Sequence, residues 1–395
     1  MATPTKAIFF RHLFPSKLEN WERFGWYKKM REESPIHFDE QAGAWDLFLF
    51  DDVEWLLKEA SLFSSERPTL EGDVRSLLSL DPPKHTQLRA IVNKAFTPRE
   101  LEMWRPRIQT LVTKLLDDLK GKDTVDIIRD FAYPLPVIVI ADILGVPYED
   151  MDKFKEWSDI LVEGPKSMTA EAVESLLTEK LAKQKEMYAY FDEIIAQKRK
   201  NPQEDLISVI ISAEVDGAKL ADNEIRAFCK LLLAAGNETT TNLIGNGMYC
   251  LLEDRSIFER VNKEPDLIPG AIEETLRFRS PVQAINRFAK QDIELRGHSI
   301  KKGQEVVGWI GSANRDETHF LYADTFDPAR QQNKHLAFGK GIHFCLGAPL
   351  ARLEAALAMP ELINRFPDMR LPENLQLEPI VSGFVYGLKS LPVQI

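Results

Sequence analysis

Three cysteines occur in the 395 residues, Cys229, Cys250 and Cys345, and one of them stands where a sulfur could do chemistry. Cys345 lies in the run Phe338-Gly339-Lys340-Gly341-Ile342-His343-Phe344-Cys345-Leu346-Gly347, immediately before a helical stretch, Ala348–Phe366. Backbone N–H groups and the dipole at a helix start favour an anionic sulfur. Gly341 and Gly347 let the main chain take left-handed conformations and approach a flat partner closely. A thiolate held this way is a strong electron donor to a metal. Cys229 and Cys250 read as small core residues, and with no second cysteine or histidine pair at ligand spacing, zinc is not expected.

A second constellation is Ala235-Gly236-Asn237-Glu238-Thr239-Thr240, midway along an apolar helix expected from about Asp222 to Glu253. An acid beside a threonine is out of place in such a helix on structural grounds. Glu274 and Arg277 share one helix face. As an exposed pair they would contribute about 0.5 kcal/mol or less. A further arginine, Arg330, sits in Phe326-Asp327-Pro328-Ala329-Arg330.

The elements that must position these groups divide into two kinds. From about 81 to 279 helical periodicity dominates, as in Ile108–Leu119 and Glu174–Lys200. A β-rich flank is expected at about 35–50, 293–310 and 380–395, with a hairpin around Gln41-Ala42-Gly43 and a helix capped by Asp51-Asp52. Between Asn314 and Lys340 the pattern is irregular, and a connection that long inside a compact body is normally functional. The predicted fold class is mainly α with a smaller β-rich flank (α+β), one intertwined domain over 1–395. The net charge of −11 argues against nucleic acid as a partner. The longest apolar run, Leu135–Val146, is short of the roughly 18 residues of a membrane span, so no anchor and a cytoplasmic location are expected.

The Cys345 loop resembles the signature of the cytochrome P450 superfamily: Phe, two residues, Gly, one residue, Arg or His, one residue, Cys, one residue, Gly. Other segments match in the same order, so the resemblance covers essentially the whole chain, and it is nearest in look to soluble bacterial hydroxylases of fatty acids, terpenoids and steroids. It implies a long central helix over a buried haem b with Cys345 as the iron ligand and Phe338, Gly339, His343 and Gly347 around the cofactor. Glu238 would relay protons and Thr239 would direct them to dioxygen, while Ala235 and Gly236 leave room against the helix. Glu274, Arg277 and Arg330 would form an ion network that folds the cysteine segment. His85, Arg89, Arg287, His335 and His343 would hold the haem propionates.

By the same resemblance, substrate contacts come from Ser65–Leu80, Trp157–Thr178, Leu232–Thr239, Val282–Ile285 and Phe384–Val385, with Leu78, Leu232, Ala235, Val282, Ile285 and Phe384 as named candidates. Such walls suit a hydrophobic small molecule oriented by shape. Arg67 and Arg75 could meet a carboxylate. The expected activity is O2-dependent hydroxylation by a monomer, with electrons from a separate ferredoxin or flavodoxin and its reductase. Arg89, Lys94, Arg99, Lys340 and Arg352 are candidate docking cations. A peroxide-driven peroxygenase is the alternative enzyme; a non-catalytic haem-binding sensor and a metal-free cysteine hydrolase are weaker readings.

Overall fold

The computed structural model describes residues 19, 21–67, 75–94, 96–162, 170–214, 217 and 219–395. Along the chain the helices are α1 (Phe24–Glu33), α2 (Phe50–Lys58), α3 (Lys84–Asn93), α4 (Pro98–Asp117), α5 (Pro134–Leu144), α6 (Met151–Val162), α7 (Ala170–Lys200), α8 (Leu206–Ser212), α9 (Asp222–Glu253), α10 (Arg255–Lys263), α11 (Ile268–Phe278), α12 (Ile310–Ala313) and α13 (Ala348–Arg365). The strands are β1 (Ile36–Asp39), β2 (Ala44–Leu47), β3 (Phe63–Ser64), β4 (Thr124–Asp126), β5 (Ile285–Ala289), β6 (Ile293–Leu295), β7 (His298–Ile300), β8 (Glu305–Gly308) and β9 (Pro392–Gln394). The chain forms two compact units: one from 1–68, 109–132 and 239–395, the other from 69–108 and 133–238.

The first unit holds all the strands among the described residues. Its main sheet has the order β1-β2-β8-β5-β3, with β2 and β8 parallel and the other neighbours antiparallel. Gly43, in the left-handed region at φ 65°, turns β1 back onto β2 as its sequence predicts. Apolar side chains of the sheet (Ile36, Leu47, Ala289, Val306) pack in one core with Val53, Leu56 and Leu57 of α2. That core reads directly from alternation in the strands and the helical period of α2.

The second unit is helical. Burying Phe154 and Trp157 of α6 against Tyr190 and Phe191 of α7 makes its aromatic centre, with ring centroids 5.2–5.9 Å apart. Asp205 caps α8 by accepting from Ser208 N at 2.8 Å. Gly145 ends α5 at φ 72°, and a Cβ there would stand 2.6 Å from Asp205.

Several expectations are corrected. Asp51-Asp52 does not cap α2, whose N-cap is Leu49; Asp52 instead accepts from Arg296 Nε at 2.8 Å. The β-rich flank is real, but β3, β4 and β5 were not foreseen, and near the C-terminus only Pro392–Gln394 is strand. Strand β5 was obscured because Arg287 occupies a buried position where alternation calls for an apolar residue.

Candidate active site

Within the first unit the Cys345 loop is closed by its own backbone. Cys345 N–H donates to Phe338 O at 2.9 Å, and Gly339 N–H to Leu336 O at 2.8 Å. Gly339 and Gly341 take φ of 71° and 67°, where a side chain would strain the backbone. Gly341 is also pressed onto the end of α2: a Cβ there would meet Leu57 O at 2.7 Å. Gly347, by contrast, has nothing within 4 Å of where a Cβ would stand. Cys345 is half-buried, one turn before α13 begins. Cys229 and Cys250 lie in the core as expected, and burial pushes the Cys250 thiol up to about 11.

The segment leading to this loop is held by Glu274, whose side chain is wholly buried beside an equally buried Arg277. Its carboxylate accepts from Arg277 Nη2 at 2.7 Å and Nε at 2.8 Å, Arg330 Nε at 2.9 Å, Asn333 Nδ2 at 3.0 Å and Asp327 N at 3.1 Å. Arg277 Nη1 in turn donates to Asn314 O and Ala323 O, and Arg330 Nη1 to Leu321 O. The irregular chain between Asn314 and Arg330 is thus fixed by two guanidiniums that share one carboxylate. Asn314 adds a tie by accepting at Oδ1 from Leu336 N–H at 2.7 Å.

Arg287 is buried on β5, with Nη1 donating to Asn286 O at 2.8 Å. The role expected of His335 is corrected. Its Nε2 faces Glu273 Oε2 at 3.1 Å and its Nδ1 accepts from Ala337 N at 3.2 Å, so both ring nitrogens are committed within the protein. Burial raises the Glu273 carboxyl, but hydrogen bonds from Arg352 and His335 outweigh it and hold it at about 2. Arg352 therefore faces Glu273, and Lys340 faces Glu54 at 3.5 Å. Val282 bridges to Val385 and Gln283 N–H donates to Phe384 O at 2.8 Å, which sets Val282 beside Phe384, with Ile285 opening β5 just beyond.

In the second unit, Glu238 lies on α9 where the helix is gripped from two sides. Asn237 Nδ2 donates to Ser158 Oγ on α6 at 2.5 Å, and a Cβ at Gly236 would stand 3.0 Å from Ile140 of α5. Gly236 therefore lets α9 pack closely against Ile140 of α5. Burial pushes the Glu238 carboxyl up to about 7, with Lys180 of α7 pulling the other way. Ala235 is exposed and Leu232 half-buried. His85 is buried in the first turn of α3, and Arg89, one turn on, donates to Asn93 Oδ1 at 3.1 Å. Leu78 is 47% exposed while its neighbour Leu77 is buried. Leu70 lies outside the described residues, as do the side chains of Leu161 and Val162.

On the other side of the unit division, Thr239 continues α9 without a break, and the next turn is anchored by Thr241 Oγ1 donating to Ala132 O at 3.2 Å. Sequence reasoning passed over Glu273 and Asn333, which look like surface residues until the fold brings basic and polar partners to them. It also passed over Glu354, a buried acid on α13 with one carboxylate oxygen unpaired; its only signal is a charge on the apolar face.

A model of the family described as Cytochrome P450 matches residues 47–395. This chain belongs to the cytochrome P450 family. A putative cytochrome P450 of Bacillus subtilis, YjiB, is 47% identical over 96% of this chain and 95% of its own length. Cytochrome P450 109 of Bacillus spizizenii is 46% identical over 93% and 91%. Among solved structures, substrate-free CYP109E1 from Bacillus megaterium matches with a TM-score of 0.92 at 48% identity, covering 95% of this chain and 99% of that one. As a cytochrome P450 the chain is a haem b monooxygenase of hydrophobic compounds, mainly helical with small sheets. The residues at the Cys345 loop fit that cofactor. One sulfur at a helix start is the ligand set a haem-thiolate centre needs, and no side chain or backbone crowds Gly347 within 4 Å of where its Cβ would stand. No group of three or more metal-ligating side chains occurs among the described residues to suit a different metal.

Proposed function

We propose that Cys345 would hold the haem iron through its thiolate and that Glu238 and Thr239 govern proton delivery in the hydroxylation of an apolar substrate. The observation that carries this reading is the Cys345 loop itself, clamped by left-handed glycines against α2 and by the Glu274–Arg277–Arg330 network behind it. When bound, haem b supplies the reductive activation of O2 that the reaction needs. Glu238 is suited to hold and release a proton because burial keeps its carboxyl near neutrality. Thr239, on the same helix turn, offers a hydroxyl that can accept and pass that proton.

His85, Arg89, Arg287 and His343 are carried over from the family resemblance as propionate partners, with Phe338 and Gly339 beside the cofactor. Val282, Ile285 and Phe384 are proposed as substrate-facing in the first unit, and Leu78, Leu232 and Ala235 in the second. The substrate class is hydrophobic, of steroid or fatty-acyl size. It is supported by CYP109E1 structures in complex with corticosterone and testosterone, and by P450BioI in complex with an acyl carrier protein bearing hexadec-9Z-enoic acid, 35% identical to this chain. Electrons come from a separate ferredoxin or flavodoxin, and the whole chain acts as one catalytic domain, a reading that the single family match over 47–395 supports.

The test is spectroscopic. Reduced protein treated with carbon monoxide should show the red-shifted Soret band of thiolate ligation, and Cys345→Ala should abolish both that band and product formation. A Cys345→Ala protein that still hydroxylates would end this assignment.

A further inference from the structure

Arg67 follows strand β3 in the first unit. The antiparallel register of β3 on β5, Phe63 to Ala289 and Ser64 to Phe288, carries the chain beyond Ser64 toward the Ile285 end of β5. Ser65 is buried and Arg67 half-buried, so the chain stays against the sheet as it runs that way. The Nε of Arg67 is wholly enclosed and has no hydrogen-bond partner. A guanidinium cannot discard its charge, so an enclosed donor without an acceptor is a standing cost until an anion or water meets it. Burial depresses the Arg67 guanidinium, and the opposing charge is Glu305 on β8. Glu305 directs Oε1 to Asn286 Nδ2 at 2.9 Å, and among the described residues no carboxylate forms an ion pair with Arg67.

We propose that Arg67 anchors the carboxylate of an apolar acid substrate, so that long-chain acids are preferred over their neutral counterparts. The inference rests on the reading of Val282, Ile285 and Phe384 as a substrate-facing wall. A carboxylate matches the planar fork of the guanidinium and gives it charge-assisted hydrogen bonds that an ester or hydroxyl cannot supply. The chain of such an acid would then lie along the apolar residues at the start of β5. Glu305 sets the field against which the ligand must bind, which makes it a second handle on the same interaction.

The experiment is a spin-state titration of the haem-loaded protein with hexadecanoic acid, its methyl ester and testosterone. It compares the wild type with Arg67→Gln, Arg67→Lys and Glu305→Gln. Arg67→Gln should weaken the acid by about tenfold or more while moving the ester and the steroid by less than about twofold. Arg67→Lys should recover part of the loss, and Glu305→Gln should tighten the acid alone. Equal binding of acid and ester by the wild type would overturn the anchor, as would an Arg67→Gln variant that weakens all three ligands alike; the apolar wall would survive the first result. If none of the three shifts the wild type, the wall itself falls and the anchor with it.

Discussion

Glu238 holds its proton near neutral pH because folding removes its carboxyl from water faster than Lys180 can compensate, leaving it at about 7 against an ordinary 4.5. The folded chain binds that proton more tightly than the unfolded one. The stabilisation is complete below about 4.5 and is lost as pH rises through 7. Activity should follow the same group. Product formed per O2 consumed should decline as pH rises through about 7, and Glu238→Gln should slow turnover by about a hundredfold and remove that limb. Thr239→Ala should continue to consume O2 but release peroxide in place of product, a split read by an oxygen electrode alongside product analysis. Cys345, Glu238 and Thr239 stand out in the sequence as candidates because each departs from what its local setting would otherwise select. His335 was misread because a histidine near the loop looks alike whether it points to a propionate or to Glu273, and only the fold shows which acid is within 3.1 Å.

At the scale of elements, α11 and the irregular stretch after α12 behave as one piece, joined through a carboxylate with no exposure to water. Glu274→Gln would leave Arg277 and Arg330 sharing a neutral acceptor in the interior, a change expected to cost about 3–5 kcal/mol. Chemical denaturation should show that loss, together with a shift of the carbon-monoxide complex away from thiolate absorption. Gly270 provides a sharper geometric test. A Cβ there would stand 2.0 Å from Pro328 O, a main-chain atom that cannot swing aside. Gly270→Ala should therefore lower stability by about 1–3 kcal/mol, whereas Gly25→Ala, with nothing within 4 Å, should leave the melting temperature nearly unchanged. Helix α9 was read from about Asp222 to Glu253, as it stands, because a stretch that long and apolar over much of its middle suits a helix buried on most sides. Strand β4 was invisible because its partner is β9, with Thr124 opposite Gln394, and local patterning carries no trace of a pairing between such distant segments.

At the scale of the whole molecule, the first unit draws on three separate stretches of chain, and its main sheet cannot be completed from any one of them. A fragment of residues 239–395 would carry β8 without β2, leaving an unpaired edge that favours aggregation. Circular dichroism and size-exclusion chromatography should find that fragment unfolded or aggregated, even though it contains Cys345 and the complete Glu274 network. Fold class was readable because helical and alternating periods occupy different regions; the two compact units were not, because two of the four places where they divide fall inside α4 and α9, where the helix runs on unbroken. The contact between Gly341 and Leu57 O has a reach that its size conceals. It makes α2, a helix from the opposite end of the sequence, the doorstop against which the Cys345 loop is set. Small repacking beneath Leu57 should therefore reach the Cys345 loop from the far end of the chain, a remote handle on how that sulfur is set.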